Sequence, residues 1–545
     1  MGKSIITNMN LKYFALLGIA GAFFMLFYMS PQEMVQVSVQ SALEEVVAEK
    51  STEVVNEDVM AGILPYKTTH PSVVSDYLEN LADMVYVGTF SLVFEGEVDE
   101  QLEEMISDNF PGTKIKSFVL EEDMSKKELD EVVDDLDGFV LGITDFSHYL
   151  PKGVADFHDE LSRTVIETFD FWQLDEVEVG SWQTLYVVMK YAEEVEAQDV
   201  EIVDHTNSSN GDDFEDSVSS FYILFKDGEI SADRAVTVMA LGDIMMGRYV
   251  RTLMDRENNP ARSFEKIRGK EDRFFYGADT FFANLEGPIK GEGYRSGTSV
   301  VFGFHEDTAP LLKSFGFDVL SLANNHILNQ GWDGLDSTYA ALNNSGMTAC
   351  GHPTEIDRSS VVHRYFGSKH YAFVCFDDVA HRIDRGEAVE LIADIDEETD
   401  YTIVSIHWGV EYAHTPHNSL QVEPAHAFVD AGADVVIGHH PHVVQTFEIY
   451  NGAPIFYSLG NFIFDQYWSY DTEEQLGVGL ALGASSDDGG SVLRFYLFPM
   501  HSDKSQPYLM NESEQERFYD RFINWGGYDD DMATQIRSGV IEIEL

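Results

Sequence analysis

The chain has 545 residues, and its 34 Lys and Arg stand against 95 Asp and Glu, a formal net charge of −61. That balance excludes a nucleic-acid partner, which needs a basic face to release counterions, and two cysteines exclude both a disulfide scaffold and a cysteine-rich zinc site. A hydrophobic content of 44% belongs to a folded chain, and the length is too great for one core, so two domains plus appendages are expected.

Residues 13–29, YFALLGIAGAFFMLFYM, carry no charge and follow Lys3 and Lys12. The stretch sits at the short end of the ~17–25 residues that cross a bilayer. Basic residues stay inside. The expectation is therefore a cytoplasmic stub and transmembrane anchor over 1–30, a single-pass protein of the cell membrane with both domains outside the cytoplasm. A cleaved signal peptide is the alternative, with Val39-Gln40-Ser41 as a weak cleavage site. Residues 31–60 are acidic, lack aromatics and read as a linker.

The pattern turns globular near Gly62. DMVYVGTF, TKIKSFVL, DGFVLGITDFSHY and SSFYILFK read as strands, and GVADFHDELSRTVIETF has helical spacing. Acidic stretches such as ELDEVVDDLD read as solvated helix faces. This predicts a smaller α/β domain over 61–230, ended by KDGEISADRA. A second α/β domain follows over 236–505, then an acidic C-terminal extension over 506–545. Cys350 and Cys375 are expected as two buried free thiols, with one disulfide as the alternative.

In the second domain, short apolar runs end abruptly in residues able to bind metal or move protons. VTVMALGD ends at Asp243, TFFANLEG at Asn284 and Glu286, and FDVLSLANNH at Asn324, Asn325 and His326. YTIVSIHWG ends at His407, ADVVIGHHPH at His439, His440 and His442, and APIFYSLGNF at Asn461. Near-continuous apolar runs suit strands buried on both faces, and ligands bind beyond the carboxyl ends of such strands. Carboxylate, imidazole and amide oxygen together suit one or two divalent ions such as Mn, Fe or Zn. A pair of ions needs a bridging ligand, and a free histidine could protonate a leaving group.

The order LGDIMMGR, ANLEGPI, LANNHILNQGWDGL, IHWGVEY, GHHPHVVQ, YSLGNFIFDQ closely resembles the CapA family, the poly-γ-glutamate capsule-synthesis proteins, over about 236–500. The family is similar to the calcineurin-like metallophosphoesterases. The resemblance implies an α+β sandwich: two mixed β-sheets flanked by helices, with the site at their strand ends. It implies Asp243 at a first metal, Glu286 as the bridge, and Asn325 and His407 at a second metal. His440 resembles a second-metal ligand and His442 a first-metal ligand, with His326 as the acid. His439 is then the extra histidine, facing away or packing. Met245 stands where a first-metal histidine is usual, and Glu286 where an aspartate is, which weakens the first position. Arg248 and Asn461 are candidates for substrate contact; for Arg248 a salt bridge at a helix start is the alternative. Trp332 is expected in the core, with a substrate platform as the alternative.

The implied function lies in capsule, poly-γ-glutamate or related surface-polymer biosynthesis. A metal hydrolase site would act on an anionic polymer or a phosphate ester. The alternative is a non-enzymatic tethering or export component with a degenerate site, working beside capsule synthesis and export partners. A weaker resemblance, carried by GFVLGITDFSHYLPKGVADFHDELSRTVIETF, TLYVVMKYAEEVEAQDVEIVDHTNSSN and SVSSFYILF, links about 60–226 to the Memo-like family (AmmeMemoRadiSam system protein B). Its metal pattern is broken at Gly180-Ser181-Trp182 and over 87–91, leaving Asp145 and His148, which implies a non-catalytic domain.

Overall fold

Alternation with period two decides which sheet face each strand residue serves. In the strand Val236–Ile244, Val236, Val238 and Ala240 enter one buried cluster while Met239 and Leu241 enter another. That strand is therefore buried on both faces and lies at the centre of a layered structure. The structure is a computed structural model, which describes residues 59–65, 77–79, 81–82, 89–96, 100–174, 176–209, 217–230, 232–290, 301–486 and 490–544.

The first sheet holds β1 (Val59–Leu64), β2 (Thr89–Glu95), β3 (Lys114–Leu120), β4 (Phe139–Ile143), β5 (Asp199–Asn207) and β6 (Ser219–Lys226), in the order β3-β2-β4-β1-β6-β5. β1, β2, β3 and β4 run parallel, and β6 and β5 close the sheet antiparallel. The helix Trp182–Glu194 packs on β1, β2 and β4. The helix Lys152–Glu167 packs between this sheet and the next, touching β5 and β6 on one side.

β7 (Val236–Ile244), β8 (Thr280–Leu285), β9 (Phe317–Ser321) and β10 (Thr348–Cys350) then form half of a second sheet, all parallel. The chain crosses to a third sheet of β11 (Val361–Phe366), β12 (Lys369–Asp377), β13 (Tyr401–His407), β14 (Val435–His439), β15 (Phe447–Tyr450) and β16 (Ala453–Phe456). It returns with β17 (Asn461–Ile463), β18 (Glu474–Ser485), β19 (Ser491–Ser502), β20 (Pro507–Leu509) and β21 (Val540–Glu544) to complete the second sheet. The two sheets face each other across a shared core, where Phe282 of β8 stacks on Phe373 of β12 at 4.9 Å, a contact worth roughly 1 kcal/mol beyond its buried area. The helices Arg385–Asp396 and Glu423–Asp430 cover the outer face of the third sheet. The result is a mixed α/β architecture of several mixed sheets and helices.

The helix Lys152–Glu167 reaches the second sheet through charge as well as packing. Glu160, 6% exposed, accepts from Arg494 at 2.5 Å and from the Tyr496 hydroxyl at 2.5 Å, both on β19. Arg234, just before β7, donates to Asp279 at 2.6 Å, and Gln173 donates to the same carboxylate at 3.0 Å. All described residues fall within one compact unit covering 58–82 and 87–545.

Three expectations change. Cys350 and Cys375 are not free thiols but a disulfide joining β10 of the second sheet to β12 of the third. Both side chains point into the shared core, and their Cα atoms lie 5.7 Å apart, within bridging range. The segment 506–545 is part of the fold: β21 pairs with β19, and Phe518, Tyr519 and Phe522 are buried in the core between the sheets. The membrane anchor expected at 13–29 lies outside the described residues, and among these no helix is long and apolar enough to cross a membrane. The expected single-pass membrane location is corrected on that ground; described helices such as Lys152–Glu167 and Trp182–Glu194 bury their apolar residues against sheets instead.

Candidate metal centre

The carboxyl ends of β7, β8, β13 and β14 meet at one edge of the sandwich. Parallel registry sets them level: Asp243 opposes Asn284, and His407 opposes His439. Glycines let the backbones close. A Cβ on Gly242 would lie 2.1 Å from the Gly460 carbonyl oxygen, and one on Gly438 would lie 2.0 Å from that of Tyr457. These positions directly precede Asp243 and His439, so only glycine allows the approach.

Asp243, Glu286 and His407 offer ligand atoms that all lie within 4.8 Å of one another, and all three are buried. Neither oxygen of Glu286 accepts a hydrogen bond among the described residues. His326 Nε2 lies 3.6 Å from Glu286 Oε1, and His442 Nε2 lies 3.7 Å from the same atom. A buried carboxylate without donors is costly. Burial, with Asp243 and Glu411 adding repulsion, holds Glu286 well above the usual carboxylate range. Asp243 goes the other way: burial raises it, but the His439 and His442 contacts outweigh this and hold it well below that range. Burial pulls His442 down, yet Glu286 and Asp243 lift it to about 9. Without metal, His442 thus holds a proton beside Asp243 and Glu286, which an ion bound at its ring would displace. Burial and His442 lower His440 to about 3, and burial and His440 hold His407 well below the usual imidazole range. Both stay neutral, as ligands must.

A network of amides holds these groups. Asn284 donates to Asp243 Oδ1 at 2.8 Å, and its Nδ2 lies 3.3 Å from His407 Nδ1. Asn324 donates to Asn284 at 3.1 Å. His407 Nε2 lies 3.0 Å from Asn325 Oδ1. His326 stacks on Phe302 at 3.9 Å, and its Nδ1 lies 3.0 Å from Asn329 Oδ1. Burial lowers His326 to about 4, so it is neutral at pH 7 in this state; an anionic ligand beside it would raise it.

The structure brings Asp243, Glu286, Asn325, His326, His407, His440 and His442 to this one edge, but it arranges some neighbours differently from expectation. His439 faces the site, with Nδ1 3.3 Å from Asp243 Oδ1. Met245 is fully buried in the core on the far face of the second sheet and offers nothing to the site. Asn461 is spent on positioning rather than open to substrate. Its Oδ1 lies 3.0 Å from His442 Nδ1, and its Nδ2 donates to Gln466 at 3.1 Å and to the Thr472 carbonyl at 2.9 Å. Arg248 pairs with Asp465 at the start of the helix Arg248–Glu257, its guanidinium 4.8 Å from the Phe302 ring centre. Trp332 is 53% exposed and stacks on His352 rather than in the core.

Sequence reasoning missed Asn284 and Asn324 as supports, and His439 as a neighbour of Asp243. Asn284 shares a strand face with Glu286 by period two, which was a usable signal. It also missed Glu411, which forms a second group with His440 and His442, again with ligand atoms within 4.8 Å. A third acid–imidazole group, Asp156, Asp159 and His205, is closed on itself: Asp159 accepts from Ser147, Ser219 and His205 at 2.8, 2.9 and 2.8 Å.

A mixed α/β sandwich with carboxylates and imidazoles gathered at its strand ends defines a protein able to hold a metal there. Residues 237–466 match the family described as bacterial capsule synthesis protein PGA_cap. The PGA biosynthesis protein CapA of Bacillus subtilis is 30% identical over 45% of this chain and 67% of its own length. The capsule biosynthesis protein CapA of Bacillus anthracis is 31% identical over 44% of this chain and 62% of its own length, short of two thirds. A probable polyglutamine synthesis accessory protein of Mycobacterium tuberculosis is 26% identical over 52% of this chain and 88% of its own length. The chain belongs to the CapA family of capsule synthesis proteins.

Proposed function

We propose that this protein is a metal-dependent hydrolase or transferase of the metallophosphoesterase type, acting in the synthesis of poly-γ-glutamate or a related surface polymer. Its substrate would be a phosphate ester or a γ-glutamyl amide of an anionic polymer. One observation carries the reading: Glu286 is fully buried, accepts no hydrogen bond among the described residues, and stands with Asp243 and His407 in one cluster. Such a carboxylate is stabilised by a cation. The mixed oxygen and nitrogen donors suit Mn, Fe or Zn.

Asp243, Glu286, His407, His440 and His442 would hold the ion or ions, with Asn325 supplying an amide oxygen. A divalent cation there supplies Lewis acidity and lowers the pKa of water at neutral pH. Asn284 fixes the Asp243 carboxylate and faces His407, and Asn461 sets the ring of His442. His326 is held by Asn329 and Phe302 at the edge of the cluster, where it can pass a proton to or from a substrate oxygen. With a net charge of −61 around it, an anionic substrate needs that cation; screening confines the repulsion to about 8 Å at physiological ionic strength.

Metal analysis of the purified chain, followed by a panel of phosphate-ester and γ-glutamyl substrates, tests the reading. Bound metal and a metal-dependent turnover lost in His407→Ala are expected. A chain that neither binds nor responds to divalent metal would sink it. The burial of Met245, which leaves one expected ligand position without a donor, favours a second reading. In that reading the site is degenerate and the protein is a non-enzymatic component of a capsule assembly.

A further inference from the structure

The two ligand groups differ in exposure. Asp243, Glu286 and His407 are buried, whereas the second group joins buried His440 and His442 to an exposed Glu411. Glu411 lies on the loop after β13, four residues past His407 in the sequence. This loop is fastened to the histidine turn: the Tyr412 N–H donates to the Pro441 carbonyl at 2.8 Å, and Pro441 stands between His440 and His442.

The backbone is held in an unusual conformation on both sides of that bond. Tyr412 has φ +64°, His440 φ +95° and His442 φ +57°. A non-glycine residue with positive φ persists only where its surroundings impose it. These three residues stand beside or within the group whose ligand atoms, from Glu411, His440 and His442, lie within 4.8 Å of one another. The Nδ1 of His440 is buried and accepts or donates no hydrogen bond among the described residues. Tyr412 also lies across the turn, its ring centre 6.2 Å from that of His442.

We propose that Glu411 is a metal ligand, completing with His440 and His442 an outer cation position beside the buried inner one formed by Asp243, Glu286 and His407. The proposal rests on the metal reading above and deepens it. The outer position is open to solvent through its carboxylate side, so it exchanges its ion more readily than the inner position. His442 stands between the two, with Nδ1 3.4 Å from Asp243 Oδ2 and Nε2 3.7 Å from Glu286 Oε1. A divalent cation is the ligand class, with harder ions favoured over soft ones by the added carboxylate.

The test is a titration of the chelator-stripped full chain with Mn²⁺, counting free ion by electron paramagnetic resonance. The wild type should bind two equivalents of unequal affinity. Glu411→Gln and Glu411→Ala should each lose the weaker one, or weaken it at least about ten-fold, and leave the tighter one unchanged. Glu286→Gln should remove the tighter one. Because Glu411 is exposed, both of its variants should keep the wild-type circular dichroism and melting temperature. An identical two-step isotherm in the Glu411 variants overturns the proposal, as does a single equivalent in the wild type; in both cases the buried metal position survives. A wild type that binds no Mn²⁺ overturns the proposal and the metal reading together.

Discussion

His439 Nδ1 lies 3.3 Å from Asp243 Oδ1, across the gap between the third and second sheets. A residue that the motif alone presents as a spare thus faces the carboxylate at the centre of the site, although neither of its ring nitrogens makes a hydrogen bond among the described residues. Removing it should let the Asp243 carboxyl titrate closer to its ordinary range and misdirect its oxygens. His439→Ala is expected to weaken Mn²⁺ binding about ten- to a hundred-fold, as loss of a ligand's support does, with the secondary structure unchanged by circular dichroism.

Glu286→Gln should separate the protein with and without metal. Burial already holds the metal-free Glu286 carboxyl well above the usual carboxylate range, so the neutral amide should melt close to the metal-free wild type. The wild type should gain stability from ion at the buried position, about 2.7 kcal/mol at a hundred times its Kd, and the variant should lose that gain. Thermal melts with chelator and with Mn²⁺ check both outcomes.

His326→Ala should reduce kcat by about 10² to 10⁴, the usual contribution of a positioned acid or base. Metal content should be unaffected. Turnover assays paired with elemental analysis separate this from loss of the ion. Unchanged capsule output in cells carrying the variant would favour the non-enzymatic reading.

Arg494→Ala should destabilise the fold by about 3 kcal/mol, because it leaves Glu160 buried without its cation. Arg494→Met combined with Glu160→Gln should recover much of that loss. Urea unfolding of the three chains measures the difference.

Burial pushes the Asp434 carboxyl up to about 6. The folded chain therefore binds this proton more tightly than the unfolded chain. The stabilising contribution is complete below the unfolded pKa of about 4 and is lost as pH rises through 6. Asp434→Asn should remove this dependence. Relative to the wild type, it should gain about 2 kcal/mol between pH 4 and pH 7, read from urea midpoints.

Much of the site was legible because β-strands buried on both faces write themselves as apolar runs, and a polar residue at the end of each run is conspicuous. Asp243, Glu286, His407 and the histidine turn are all of this kind. The supporting amides were harder to find, since an asparagine such as Asn461 looks the same whether it faces a substrate or the ring of His442. Glu411 was hidden by its loop, where neither periodicity nor strand ends point inward, and only the tie from Tyr412 to Pro441 places it. The pairing of Cys350 with Cys375 depended on two sheets meeting face to face, which no local pattern encodes. The segment 506–545 misled through its acidic surface, although Phe518 and Phe522 carried helical spacing toward a core.

The candidate site draws on both facing sheets, and the Asp243 carboxylate meets the His440 backbone across 197 positions of sequence. No short stretch of chain contains a usable set of donors. Synthesis must pass His442 and the two sheets must close before an ion can be held, so metal capture would be among the last events of folding. Bound metal would then mark molecules that have finished, and a chelator would reveal the fraction of a preparation that never did.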